Sequence, residues 1–277
     1  MKVSMQGEPG CFHEVAARQY FGNDAVIDMI PCSTFDQTLK VVQEGYADLA
    51  MMAIENARSG SILYNYNLIR ESGLKMLGEH NLRIVQNLMA LPGQSINDIK
   101  QIRSHPIALS QCMTFLNNYP NITLVEASDT AGSAKLISEH KLKKIAAIAS
   151  SKAAEMYGLE IIAPGIETYK KNYTRFLVIG NEQMGKKDGN KMSVCFATGH
   201  KPGSLATVLV RLAQMNINLS KIQSVPRLNG GWEYMFYLDL ELPSGISLDT
   251  IEEILYKDTS NLEILGIYNK GEMIHES

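Results

Sequence analysis

Short apolar runs alternate with amphipathic helical stretches from residue 1 to about residue 180, and this alternation restricts the chain to an α/β fold with a largely parallel sheet. Strand-like runs are Val3 to Gln6, Val26 to Ile30, Leu49 to Ile54, Thr123 to Ala127, Ile145 to Ala149 and Phe176 to Ile179. Between them, Thr34 to Gln43 sets Phe35, Leu39 and Val42 on one helical face, and Asp129 caps a helix that runs to Glu139. The stretch from Leu74 to Leu91 is long and strand-rich, as a crossover between two lobes would be, and the chain returns to a strand at Phe176. A ligand between such lobes is held by loops at strand ends.

The pattern changes after Glu182 to Lys191, a Gly- and Lys-rich stretch that reads as a linker. Met192 to Ala197 is a strand, and Gly203 to Met215 a helix with Leu205, Val208, Leu209, Leu212 and Met215 in one stripe. Leu219 to Val225 and Trp232 to Leu242 are strands around the turn Asn229-Gly230-Gly231. Ser247 to Leu255 is a second helix and Leu262 to Tyr268 a last strand. The order βαββαβ predicts a ferredoxin-like domain.

With 277 residues the chain suits two or three domains, and a net charge of −3 without a basic patch argues against a nucleic-acid partner and for a small molecule. Cys11, Cys32, Cys112 and Cys195 show no CxxC spacing, and the six histidines form no i, i+4 pair, so no metal is expected. No Walker loop and no GxGxxG occurs, so no nucleotide cofactor is expected either. There is no apolar leader before Val3 and no run of 18 apolar residues, which predicts a soluble cytoplasmic protein away from membranes.

Five clusters carry polar residues at element ends. Asn172-Tyr173-Thr174-Arg175-Phe176 precedes a buried strand and sets a hydroxyl beside a guanidinium, whose planar fork suits a carboxylate; a turn with a surface Arg fits equally well. Gly7 to Phe12 joins a strand to a helix and offers backbone N–H groups, although such turns are structural in most cases. Ala53 to Ser61 ends a strand in Glu55 and Asn56 before a Gly/Ser loop, which a capping turn also explains. Ser104-His105-Pro106 opens the helix carrying Gln111 and Cys112, with Ser104 as a natural N-cap and Pro106 in the first turn. Asp129 to Ala134 is a capped helix start with small residues.

Taken in order, these blocks resemble prephenate dehydratase in its stand-alone form with a C-terminal ACT domain. The matching segments are Gly7 to Ala17, Ala53 to Gly60, Ser104 to Cys112, Asp129 to Lys135, Ala146 to Gly158 and Asn172 to Phe176. The resemblance implies a two-lobed, periplasmic-binding-protein-like catalytic region over 1–181, a linker over 182–191 and an ACT regulatory domain over 192–270. It implies conversion of prephenate to phenylpyruvate without a cofactor. Thr174 would assist the departing hydroxyl and Arg175 would meet a carboxylate, with Asn56, Ser104 and Gln111 lining the cleft and Phe176 packed beneath it. L-Phenylalanine would act as effector at Gly203, Ser204, Leu205, Asn218, Leu219, Gln223 and Ser224, in a homodimer or homotetramer paired through ACT domains. Arogenate dehydratase and a non-catalytic two-lobed small-molecule sensor are the alternatives.

The chain departs from the family pattern in places. The first loop, usually Gly-Thr/Ser-Phe/Tyr-Ser, is Gly10-Cys11-Phe12-His13, and Ala57 stands where the family usually has Ser. Gly203-Ser204-Leu205 matches the family's Gly-Ala-Leu closely, whereas its Glu-Ser-Arg-Pro is Gln223-Ser224-Val225-Pro226. That change removes an ion-pairing option and implies weakened or altered feedback.

Overall fold

The computed structural model describes residues 1–22, 24–184, 188–199, 201–226 and 234–272. The chain opens with β1 (Lys2–Gln6), α1 (Phe12–Phe21), β2 (Asp28–Cys32), α2 (Phe35–Gln43), β3 (Leu49–Asn56), the short β4 (Gly60–Ser61), α3 (Leu63–Ser72) and β5 (Lys75–Arg83). Next come β6 (Asn87–Ala90), β7 (Gln101–Ser104), α4 (Pro106–Gln111), α5 (Met113–Leu116), β8 (Thr123–Glu126), α6 (Thr130–Glu139), β9 (Ile145–Ala149), α7 (Ser151–Tyr157) and β10 (Glu160–Ala163). The chain then returns through β11 (Tyr173–Gly180). Last are β12 (Lys191–Ala197), α8 (Ser204–Gln214), β13 (Asn218–Pro226), β14 (Tyr234–Glu241), α9 (Leu248–Asp258) and β15 (Ser260–Tyr268). Two compact units result: Met1–Ile62 with His80–Phe176, and Leu63–Glu79 with Leu177–Glu272.

The two lobes of the first unit rest on two sheets, ordered β2-β1-β3-β11-β5 and β10-β6-β9-β7-β8. Parallel pairing joins β1 to β2 and β3, and β7 to β8 and β9. Because β6 runs antiparallel to both β9 and β10, the second sheet is mixed rather than largely parallel. The apolar run of β9 shows why both its faces are covered: Ala147 and Ala149 join a core with Ala134, Ile137 and Ala153, while Ala146 and Ile148 join another with Ile102, Leu109 and Cys112. Met5 and Cys11 of the first lobe enter the same core as Ala153, so the first loop is part of the packing.

Local differences from the sequence expectation have local causes. The second strand begins at Asp28, whose ladder partner is Lys2, and leaves Val26 90% exposed ahead of the pairing. Lys191 is not linker but the buried first residue of β12, held by Glu79 at 2.9 Å. The turn Asn229-Gly230-Gly231 and Trp232 lie outside the described residues.

In the second unit the described elements follow the order βαββαβ on an antiparallel sheet β13-β14-β12-β15. Helices α8 and α9 cover one face, setting Val208, Leu212, Ile251 and Leu255 on Val194, Phe196, Leu238 and Leu240. Residues of the alternate set turn to the other face, where α3 and the start of β5 supply partners. There Tyr237 donates from its hydroxyl to Asn67 at 2.8 Å, the Tyr66 ring lies 5.3 Å from that of Tyr237, and Arg70 pairs with Glu263 at 2.9 Å. No helix among the described residues is long and apolar enough to cross a membrane.

Gly266 sits where β15 approaches β5 so closely that a Cβ would overlap the Met76 carbonyl oxygen. Backbone cannot yield as a flexible side chain does. Gly266→Ala is therefore expected to lower the unfolding free energy by about 1–3 kcal/mol, read from urea unfolding followed by circular dichroism; an unchanged midpoint would contradict the close approach.

Candidate active site

The ladder of β11 begins at Tyr173, three residues before the apolar run, because Ala57 N donates to Tyr173 O at 2.8 Å. Thr174 thus lies within the strand, and alternation puts it with Phe176 on one face while half-buried Arg175 leaves from the opposite face. The buried Phe176 ring meets His13 edge-on, with centroids 5.1 Å apart. Nε2 of His13 accepts from Ala53 N at 3.2 Å, which requires a neutral ring, and burial pushes its pKa down to about 4.

A chain of side-chain amides runs from Thr174 into the second lobe. Oδ1 of Asn56 accepts from the backbone N–H groups of Arg58 and Ser59, both at 2.9 Å. Backbone N–H only donates, so Nδ2 of Asn56 must face the other way. It donates to Thr174 Oγ1 at 2.8 Å and to Asn172 Oδ1 at 2.9 Å. Nδ2 of Asn172 in turn donates to Gln111 Oε1 at 3.0 Å, and Gln86 Nε2 reaches the same oxygen at 3.3 Å. Behind Gln86, the buried Glu167 carboxylate accepts from Gln86 N at 2.9 Å.

Asn56, Gln111 and Thr174 are therefore brought into one network, and Phe176 lies on the same face of β11 as Thr174, packed on His13. Ser104 is placed otherwise: its buried hydroxyl donates to Ile148 O at 2.6 Å, holding β7 to β9. The cap of α4 is His105, whose Nδ1 accepts from Ile107 N, so the sequence reading of Ser104 as N-cap is off by one residue. Gly7 and Asp129 border a cavity of about 560 Å³ with Cys32, Arg103, Ser128 and Ser133. The first loop docks on α7, with Ser150 donating to Gly10 O at 2.5 Å and Tyr157 to Pro9 O at 2.8 Å. Burial pushes the Cys11 thiol up to about 12, which keeps it protonated and unsuited to attack. Among the described residues no group of three or more His, Cys, Asp or Glu is placed to hold a metal ion.

The predicted effector residues occupy two elements. Gly203, at φ 84°, caps α8, which opens with Ser204 and Leu205. Asn218, Leu219, Gln223 and Ser224 lie along β13, an edge strand, where Asn218 donates to Glu241 at 3.0 Å and Gln223 to Ser224 O at 3.0 Å.

Two sheets around a buried amide chain, followed by a βαββαβ domain, define a two-lobed α/β protein with a polar site and an appended C-terminal domain. The chain belongs to the prephenate dehydratase family, whose sequence model matches residues 3–184. It is 36% identical over 257 residues to arogenate dehydratase/prephenate dehydratase 1 of Arabidopsis thaliana, covering 87% of this chain and 64% of that protein, so it spans less than two thirds of that relative. The solved prephenate dehydratase of Arthrobacter aurescens, in complex with L-Phe, superposes with a TM-score of 0.84 at 28% identity, covering 98% of this chain and 90% of that one. GqqA, described as a novel type of quorum quenching acylase, superposes with a TM-score of 0.87 at 29% identity, covering 98% of each chain.

Asn172, though inside the motif, Gln86 and Glu167 were not among the predicted site residues. Two adjacent amides interrupting the apolar run Ile84 to Leu91 are the signal that marks Gln86; Glu167 carries none.

The neutral His13 makes stability depend on pH in a defined direction. The unfolded state binds a proton near 6.5 and the folded state only near 4, so the contribution is full above the unfolded pKa and is lost as pH falls toward 4. Urea unfolding at pH 7 and 4.5 should show a fall in stability roughly 2 kcal/mol larger for the wild type than for His13→Asn; equal falls would place His13 elsewhere.

Proposed function

We propose that the chain converts prephenate to phenylpyruvate, as a cytoplasmic, oligomeric enzyme needing no cofactor. The observation that carries this reading is Thr174 Oγ1 accepting a hydrogen bond from Asn56 Nδ2. With one lone pair so engaged, the hydroxyl proton turns to another acceptor, and the departing ring hydroxyl of prephenate is an acceptor of the right kind. Asn56 also stabilises negative charge on Oγ1 as the proton is shared.

In the reaction the carbon–carboxylate bond breaks, its electron pair enters the ring, and the ring carbon–oxygen bond breaks at the opposite carbon. One proton joins the departing hydroxide, so prephenate plus a proton gives phenylpyruvate, CO2 and water. Aromatisation drives the change, which leaves the protein to position the dianion and assist the hydroxyl. Arg175 supplies a cationic fork for a carboxylate from the far face of β11, so it acts from a different side than Thr174.

Arogenate differs from prephenate in bearing an amino group in place of the keto group, and the Arabidopsis relative is named for both substrates. A parallel assay ranks them. The acylase chemistry described for GqqA calls for an activated nucleophile, and Cys11, pushed up to about 12, is not one. A sensor without catalysis would bind prephenate and release no phenylpyruvate.

Residues 192–270 are read as an ACT domain that binds L-phenylalanine, as the Arthrobacter protein does in its complex. The effector would sit by Gly203–Leu205 and β13 between paired domains, which makes the enzyme a homodimer or homotetramer. Gln223 and Val225 in place of a carboxylate and a guanidinium weaken the site.

Thr174→Ala is expected to lose ~10² or more in kcat with unchanged melting, measured on prephenate and arogenate; near-normal turnover would remove Thr174 from the mechanism. Calorimetry should detect L-phenylalanine binding in the millimolar range, and no heat would defeat the regulatory reading.

A further inference from the structure

Gln111 is the pivot of the amide chain, since its Oε1 takes two donors, Asn172 Nδ2 and Gln86 Nε2. An amide whose oxygen is doubly engaged turns its nitrogen out of the chain. We propose that Asn172 and Gln86 are positioning residues that fix the orientation of Gln111, so that this side chain presents N–H donors, never its oxygen, to the carboxylate of an anionic substrate. This rests on the dehydratase reading above and on Gln111 lining the substrate cleft, as the family resemblance implies.

The polarity is set at the far end of the chain. Asn56 cannot turn over, because its Oδ1 holds two backbone N–H groups. Asn172 cannot turn over either, since that would set its Nδ2 against Nδ2 of Asn56. Gln111 inherits its orientation from Asn172, and Gln86 Nε2 adds a second donor to the same oxygen. Burial makes the instruction firm: Asn172 is 1% exposed and Gln86 3%, so neither can exchange its partner for bulk solvent. The backbone of Gln86 is pinned as well, its N–H on Glu167 and its carbonyl accepting from Ile166 N at 2.8 Å.

Asn172→Asp removes the donor and keeps the shape. The new carboxylate still accepts from Asn56 but repels Gln111 Oε1, so the Gln111 amide turns over and offers its oxygen to the substrate. Asn172→Ala instead leaves Gln111 held by Gln86. A merely structural role predicts that the near-isosteric Asp is the milder change; the proposal predicts the reverse for binding.

The test uses the full chain in the Thr174→Ala background, where calorimetry with prephenate and with arogenate gives Kd directly, alongside steady-state kinetics in the wild-type background. Asn172→Asp should raise Kd and KM by ~10-fold or more, with a smaller rise for Asn172→Ala. In Gln111→Ala, adding Asn172→Asp should change Kd by less than ~2-fold. An Asp variant no worse than the Ala variant, or a penalty that survives in Gln111→Ala, overturns the proposal. Should Asn172→Asp melt below assay temperature, Asn172→Ala combined with Gln86→Leu decides, since it removes both donors to Gln111: a Kd above that of Asn172→Ala alone at unchanged melting supports the proposal, and a Kd equal to it overturns it. A wild type that neither binds nor turns over either substrate sinks the dehydratase reading itself, whereas normal wild-type turnover with indifferent variants sinks only this inference.

Discussion

Two backbone N–H groups donating into one side-chain oxygen, Arg58 and Ser59 into Asn56, set the direction of the hydrogen bonds from Asn56 through Asn172 to Gln111. A lone amide turns over at little cost, and which end faces which neighbour is then open. A backbone donor has no such freedom. Once the turn after β3 closes on Asn56, its nitrogen must serve Thr174 and Asn172, and the orientations of Asn172 and Gln111 follow. The turn is local, seven residues before α3, yet what it orients lies on segments more than fifty residues away.

Two of the departures of this chain from its family pattern, Cys11 and His13, fall in the first loop, which is tightly packed. The loop is held from α7 and its N-cap, where Tyr157 and Ser150 donate to the carbonyls of Pro9 and Gly10. Gly10, at φ 86°, lets the loop come within 2.9 Å of Ala153 measured from where a Cβ would stand, so the approach depends on glycine. His13 takes on another task, satisfying the Ala53 N–H and packing on Phe176, two residues along β11 from Thr174. The loop has become structural on one side and supports the site from beneath on the other.

The sequence showed what local chemistry determines. Asp129 reads as a cap because a short acceptor before a helix has one obvious partner, and its carboxylate does accept from Gly132 N at 2.5 Å. The βαββαβ order was legible from periodicity, and β9 from an unbroken apolar run. Errors arose where a partner lies far along the chain. The polar residues Tyr173 to Arg175 do not look like strand, and only pairing with Ala57 extends β11 over them. Ser104 resembles a cap, but Ile148 O takes its hydroxyl. Lys191 resembles linker until Glu79 is brought beside it. Family resemblance named Asn56, Gln111 and Thr174, which hydrogen bonds link into one network, while Gln86 and Glu167 join that network through contacts distant in sequence.

Residues 63–79 lie early in the chain yet pack with the C-terminal sheet, supplying Tyr66, Asn67, Arg70, Met76 and Glu79 to the face that α8 and α9 leave open. The C-terminal domain is therefore not a cassette. A recombination joint drawn at the Gly/Lys-rich stretch would carry over the sheet without the helix and strand that complete it, leaving Lys191 buried with Asp239 but without the Glu79 carboxylate. Swapping this domain between family members, in the laboratory or in evolution, requires crossovers on each side of α3 and the start of β5 as well as the joint before the C-terminal segment, and lineages that exchange it must keep both halves of the face in step.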